Sequence, residues 1–171
     1  MNIFVLDKNP RIAAQMHCDK HCVKMILETA QMLSTAHRVY NTPQAEKVYK
    51  QAHLNHPCTK WIRESVDNYG WAFDLFRELT NEFVARRGKR HLSWTKLSSH
   101  LSHTPPLPLA GLTPFAQAMP DKYKCDDAVQ AYRAYYMGDK AEIAEWNWGT
   151  PAPDWFKENS RKSLQLTLDM V

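Results

Sequence analysis

The stretch Thr59–Arg87, TKWIRESVDNYGWAFDLFRELTNEFVARR, decides the fold. Trp61, Ile62, Ser65, Val66, Tyr69, Phe73, Phe76, Leu79 and Phe83 form a stripe at helical spacing, and Gly88 follows as a stop. The aromatic content of that stripe predicts a helix lying across the core. Upstream, no Gly or Pro interrupts Arg11–Arg38. Met16, Val23, Ile26, Leu27, Ala30 and Leu33 keep the same spacing, so a second long helix is expected, bent near His17–Lys20 where polar residues crowd. Asn9 offers an N-cap and Pro10 a first helical residue. Asn41-Thr42-Pro43 ends this helix, and 44–53 reads as a further turn or two.

Outside these helices the chain holds shorter elements. Ile3-Phe4-Val5-Leu6 is an apolar run suited to a strand or a buried extended arm. Residues 89–120, rich in Ser, Thr, His and Pro, read as a long loop with one helical turn near Trp94–Leu101, and that length hints at function. Asp126 or Asp127 caps a helix through Tyr136 that Gly138 stops, and Asp139 caps a short helix to about Trp146. Residues 158–171 read as a loosely held tail. A chain of 171 residues, 44% hydrophobic and 23% charged, fits one soluble all-α domain, 1–171. Four Cys are too few for a disulfide scaffold. No apolar run is long enough to span a membrane and no secretory signal is visible, so a cytoplasmic setting is expected. A net charge of +4 leans towards anionic partners.

Chemistry concentrates in Met16–Lys24. On one continuous helix His17, His21, Lys24, Glu28 and Gln31 would form a polar stripe. Such a stripe is either a solvated face or a site where a base, a cation and a carboxylate hold an anion and move protons. His17 with His21, and Cys18 with Cys22, also have spacings that can share a metal ion. The two pairs are offset by about 100° around the helix, so all four cannot bind one ion undistorted, and no metal or cofactor is expected. His56, Arg63 and Asn68 flank a helix start that favours phosphate. Arg86-Arg87-Gly88-Lys89-Arg90-His91 is either a solvated helix end or a nucleic-acid backbone contact.

Three segments together resemble the phage pyrimidine-dimer DNA glycosylase/AP lyase family. They are the apolar N-terminus leading into Asp19-Lys20-His21-Cys22-Val23-Lys24, the His56-Pro57 start of the aromatic helix ending at Arg86-Arg87-Gly88, and Tyr132–Tyr136 followed by Pro153-Asp154-Trp155. The resemblance implies a compact all-α fold in which the N-terminal segment threads between long helices. It also implies attack on a deoxyribose C1′ by the chain's own α-amine, with a helix carboxylate assisting. Two features depart from the family pattern. Asn2, in place of a small residue, keeps Met1 attached, so the amine belongs to Met1. The family's catalytic Glu aligns near His21, flanked by Lys20 and Lys24.

The resulting expectation is a nucleic-acid enzyme, DNA favoured, acting on a base or its N-glycosidic bond. His21 is the expected acid/base, with Asp19 or Glu28 orienting it and Met1 as a candidate nucleophile. Lys20, Lys24, His17, His56, Arg63, Asn68, Arg86 and Arg87 are the expected nucleic-acid contacts. The rival readings are a base-modifying transferase on the same fold, and a non-catalytic phage protein that binds a host protein or sequesters a nucleotide.

Overall fold

In a computed structural model describing residues 1–159, the chain is helical and contains no strand among those residues. In chain order the helices are α1 (Pro10–Met16), α2 (Asp19–Val39), α3 (Pro57–Ile62), α4 (Val66–Arg87), α5 (Leu92–Leu101) and α6 (Ala128–Met137). Short 3-10 turns sit at Ala45–Lys47, Asp121–Tyr123 and Ala141–Ile143, and 154–159 is again helical. Most of the expected tail, 158–171, lies outside the described residues.

The frame is α2 and α4 packed along each other, with α1 laid against α4 and α5 against α2. Trp61, Tyr69, Phe76, Leu75 and Leu79 from α3 and α4 meet Ile26, Met32 and Leu33 of α2 in the fully buried centre. The N-terminal run is part of this core: Ile3, Phe4, Val5 and Leu6 are all buried. Extended backbone inside a helical core has no ladder to satisfy it, so side chains take over. Arg133 Nε donates to the Leu6 carbonyl at 2.9 Å and Trp71 Nε1 to that of Lys8 at 2.7 Å. The threaded arm expected from the sequence is therefore present.

Both long helices are broken in two. Asn9 caps α1 by accepting from the Arg11 and Ile12 amides, but His17 and Cys18 adopt extended backbone before α2 begins. The break holds because Arg86, its side chain wholly buried, donates to the Gln15 carbonyl at 3.1 Å and the His17 carbonyl at 2.8 Å. Those carbonyls would otherwise be orphaned at a helix end. The second break, at Arg63–Ser65, follows from capping: the Ser65 hydroxyl accepts from the Asn68 amide at 3.0 Å and starts α4 afresh.

Other elements differ in detail. The expected turn near Trp94–Leu101 is the ten-residue helix α5, started by His91, whose Nδ1 accepts from the Ser93 amide. Asp127 caps α6 as expected. Asp139 caps nothing; its carboxylate instead accepts from Tyr123 Oη at 2.6 Å and Lys122 Nζ at 2.8 Å. Gly138 is needed for that arrangement, because a Cβ there would fall 2.1 Å from Tyr123 Oη.

Candidate active site

The threaded arm brings the start of the chain to the middle of α2. The Met1 ammonium lies 3.5 Å from Glu28 Oε2, and the Asn2 amide donates to the same oxygen at 2.9 Å. Lys24, one turn earlier on α2, places Nζ 3.3 Å from Glu28 Oε1. Glu28 is buried while Lys24 is largely exposed, so the carboxylate is held from both sides at the edge of solvent.

Asn2 fixes this register. Its Nδ2 donates to the Ala118 carbonyl at 2.8 Å, and its Oδ1 lies 3.0 Å from Tyr132 Oη and 3.5 Å from Cys58 Sγ. With residue 2 held on three sides, the amine one residue earlier has little freedom to leave Glu28. Burial pushes the Cys58 thiol up to about 11, so it stays protonated. His56 caps α3, its Nδ1 accepting from the Cys58 amide at 3.2 Å, and lies near enough to the Met1 ammonium to feel its charge. Desolvation first, and then the nearby ammonium, lowers its pKa and favours the neutral ring.

The other expected site residues fall elsewhere. His17 precedes α2, so the stripe that was to run from it through His21 to Lys24 is interrupted. Its Nδ1 donates to the Ala13 carbonyl at 2.7 Å, and burial lowers its pKa to about 4. His21 is enclosed: its ring stacks on Phe4 at 4.4 Å and Nδ1 lies 2.6 Å from Tyr136 Oη. Desolvation lowers its pKa to about 3. Asp19 is shared between Arg86 Nη1 at 3.0 Å and the backbone amides of Asn147 and Trp148. Cys22 Sγ contacts the Leu79 carbonyl and its thiol is pushed up to about 12, chiefly by burial. Among the described residues no His, Cys, Asp and Glu cluster with metal-site geometry occurs.

Of the expected nucleic-acid contacts, Lys20, Lys24 and Arg87 are exposed. Arg87 lies over the Trp148 ring at 4.4 Å. Arg86 points inward, as described above. Asn68 is buried and bonds the Trp61 carbonyl and both the hydroxyl and amide of Thr113. Half-buried Arg63 donates to the Leu54 carbonyl. Beside Lys20 and Lys24 opens a groove of about 660 Å³ whose far wall is Ile143, Glu145 and Trp148.

The sequence reading did not pick out Asn2, Tyr132 or Trp148 as site residues. Tyr132 entered only as part of the Tyr132–Tyr136 segment, and nothing local signals that its hydroxyl would meet residue 2, far away in sequence.

A threaded N-terminus whose ammonium sits on a buried helix carboxylate defines an all-α protein with an amine–carboxylate site. The chain belongs to the pyrimidine dimer DNA glycosylase family, whose model matches residues 1–96. That match covers the arm, α2 with Lys24 and Glu28, and α4. No curated protein and no solved structure matches the chain.

Proposed function

We propose that this DNA glycosylase-like protein excises a base from dimer-bearing DNA, using the Met1 amine as nucleophile and Glu28 as the charge that steadies the reacting sugar. The observation that carries the reading is the 3.5 Å approach of the ammonium to Glu28 Oε2. In the reaction the neutral amine forms a bond to C1′ while the glycosidic bond breaks. The bonding pair leaves with the base, which takes up a proton. Positive charge grows on the sugar at that moment, and a fixed carboxylate stabilises it without reorganisation. Ring opening gives an iminium between Met1 nitrogen and C1′. Loss of the C2′ proton then expels the 3′ phosphate, and water hydrolyses the imine and frees the amine.

Lys24 orients Glu28 and meets the phosphate, and the proton released by the amine leaves to the solvent at whose edge the pair lies, while His56 Nδ1 accepts from the Cys58 amide and caps α3. His21 and Asp19 act at a distance. The first joins the arm, through Phe4, to Tyr136 of α6, and the second holds the Trp148 loop. Lys20 and Arg87 contact backbone phosphates.

Borohydride reduction on a duplex containing an abasic site tests this. The wild-type chain is expected to form a covalent adduct through Met1, located by peptide mass. Glu28→Gln keeps the shape and removes the charge, and is expected to slow trapping by about 10²–10³-fold. An adduct on a lysine, or no adduct at all, overturns the assignment, and the latter outcome favours a non-catalytic binding protein.

A further inference from the structure

The loop between the turn at Ala45–Lys47 and α3 runs back along α2 towards the reacting pair. Thr35 stands seven residues after Glu28, two turns along the same face and roughly 10 Å away. Its Oγ1 accepts from the Ala52 amide at 3.0 Å and lies 3.1 Å from the Ala52 carbonyl. Four residues on, His56 is close enough to His53, the Met1 ammonium and Glu28 to feel the charge of each. A turn joins the two anchors. The His56 amide donates to the His53 carbonyl at 3.0 Å, and Arg63 Nη2 donates to the Leu54 carbonyl at 2.9 Å. The loop is therefore fixed at both ends, with His53 exposed at its bend.

Two observations single out His53. Its φ is +49°, in the left-handed region that only Asn41 shares among the described non-glycine residues. Glycine carries such a bend with less strain, so the turn alone does not call for a side chain. The second observation is the ring itself. The chain has eight histidines, and the rings of the other seven each hydrogen-bond a group of this chain. The His53 ring has no such partner among the described residues. An uncommitted imidazole on a pinned, left-handed bend beside the reacting pair is a donor kept for a group outside the chain.

Resting on the glycosylase reading, we propose that His53 donates a ring N–H to a DNA backbone phosphate on the far side of the attacked sugar from Lys24. Lys24 lies one turn before Glu28 on α2, and the 52–56 loop arrives from the opposite direction, from Thr35. The two groups therefore flank the amine–carboxylate pair. A strand held at one phosphate is free to pivot at the sugar, and a second contact across the pair fixes C1′ in front of the Met1 nitrogen. Such phosphate contacts position the duplex without reading its sequence. His53 acts on binding and not on bond breaking, so its loss raises the half-saturation concentration and spares the maximal rate.

The test uses His53→Gly, which relaxes the backbone and removes the ring, on a duplex with one abasic site. Equilibrium binding is expected to weaken about tenfold, the size of one hydrogen bond to a charged group. The melting temperature should equal or exceed that of the wild type, because glycine suits this φ. His53→Asn, which tolerates the same backbone and keeps a shorter donor, should recover part of the binding. Replacing single backbone phosphates by neutral methylphosphonates, one at a time, locates the contact. One replacement should weaken the wild type and leave His53→Gly unaffected. It should lie across the abasic site from the replacement that leaves Lys24→Ala unaffected. Wild-type binding by His53→Gly, a defect that persists at every neutralised phosphate, or one silenced on the Lys24 side overturns the proposal. Borohydride trapping of the wild-type chain, run in parallel, keeps the two readings apart. An adduct without a His53 effect sinks only the contact, and a phosphate-specific His53 effect without an adduct sinks only the chemistry.

Discussion

Glu28 and His21 stand seven residues apart on α2 and have opposite surroundings. Glu28 meets an ammonium, an amide and a lysine at the edge of solvent, an arrangement that keeps a charge available. His21 meets Phe4 and Tyr136 in the interior, an arrangement that keeps a ring neutral and fixed. His21→Ala is expected to leave a cavity under Phe4 and an unpartnered Tyr136 hydroxyl, costing about 3–5 kcal/mol in urea unfolding. The adduct-forming rate of the folded fraction should fall far less than the 10²–10⁴-fold that a general acid or base contributes. A loss of that larger size, with stability intact, would place His21 in the chemistry. Glu28 and Met1 were both legible as candidates, one as a carboxylate on a polar stripe and the other as the chain's own amine. The resemblance implied that a helix carboxylate assists the amine, but that this carboxylate is Glu28 was not legible, because it depends on the path of the arm and on the grip of Ala118, Tyr132 and Cys58 on Asn2. His21 was read as accessible because the residues that enclose it come from positions 4 and 136.

At the level of elements, both helical stripes were readable; the first break was read only as a bend near His17–Lys20, and the second, at Arg63–Ser65, was not read at all. Periodicity persists across His17-Cys18 and across Arg63–Ser65, since the apolar faces of the paired pieces still point to one core. The signal for the first break sits in a different helix. Arg86 follows Leu79 and Phe83 in steps of four and three, so it continues the buried stripe of α4 and must turn inward. The basic run 86–91 hid that spacing. Arg86→Met removes the donor set that joins α1, α2 and α4 and leaves Asp19 buried without its partner. Breaking such a pair costs about 3–5 kcal/mol, or roughly 6–20 °C in melting temperature for a chain of this size. Arg86→Lys restores charge without the forked geometry and should recover only part of it. DNA binding offers the contrast. Lys20→Ala is expected to lower the salt slope by about one unit, whereas Arg86→Lys should leave it unchanged because its guanidinium contacts protein only. Equal slopes for the two variants would place Arg86 at the DNA.

Across the whole molecule the buried histidines give folding a common pH dependence. His17, His21 and His37 come from the end of α1, the start of α2 and its last turn, and all three are almost fully enclosed. Desolvation is the leading cause in each case, lowering them from 6.5 to about 4, about 3 and about 4. Their partners suit neutral rings: a carbonyl for His17, the Tyr136 hydroxyl for His21, and the Thr42 and Tyr69 hydroxyls for His37. Between pH 6.5 and about 4 the unfolded chain takes up protons at these positions and the folded chain does not. Stability therefore falls as pH drops through that window, by up to about 1.4 kcal/mol per pH unit for each histidine, and levels off once the folded rings charge too. Urea unfolding at pH 7, 6, 5 and 4 should show a slope approaching three protons in the middle of the range. His37→Gln, which can keep both hydroxyl partners without titrating, should reduce that slope by about one. A slope unchanged in this variant, or stability that is flat from pH 7 to 4, would mean that the rings charge within the fold and that the interior tolerates them.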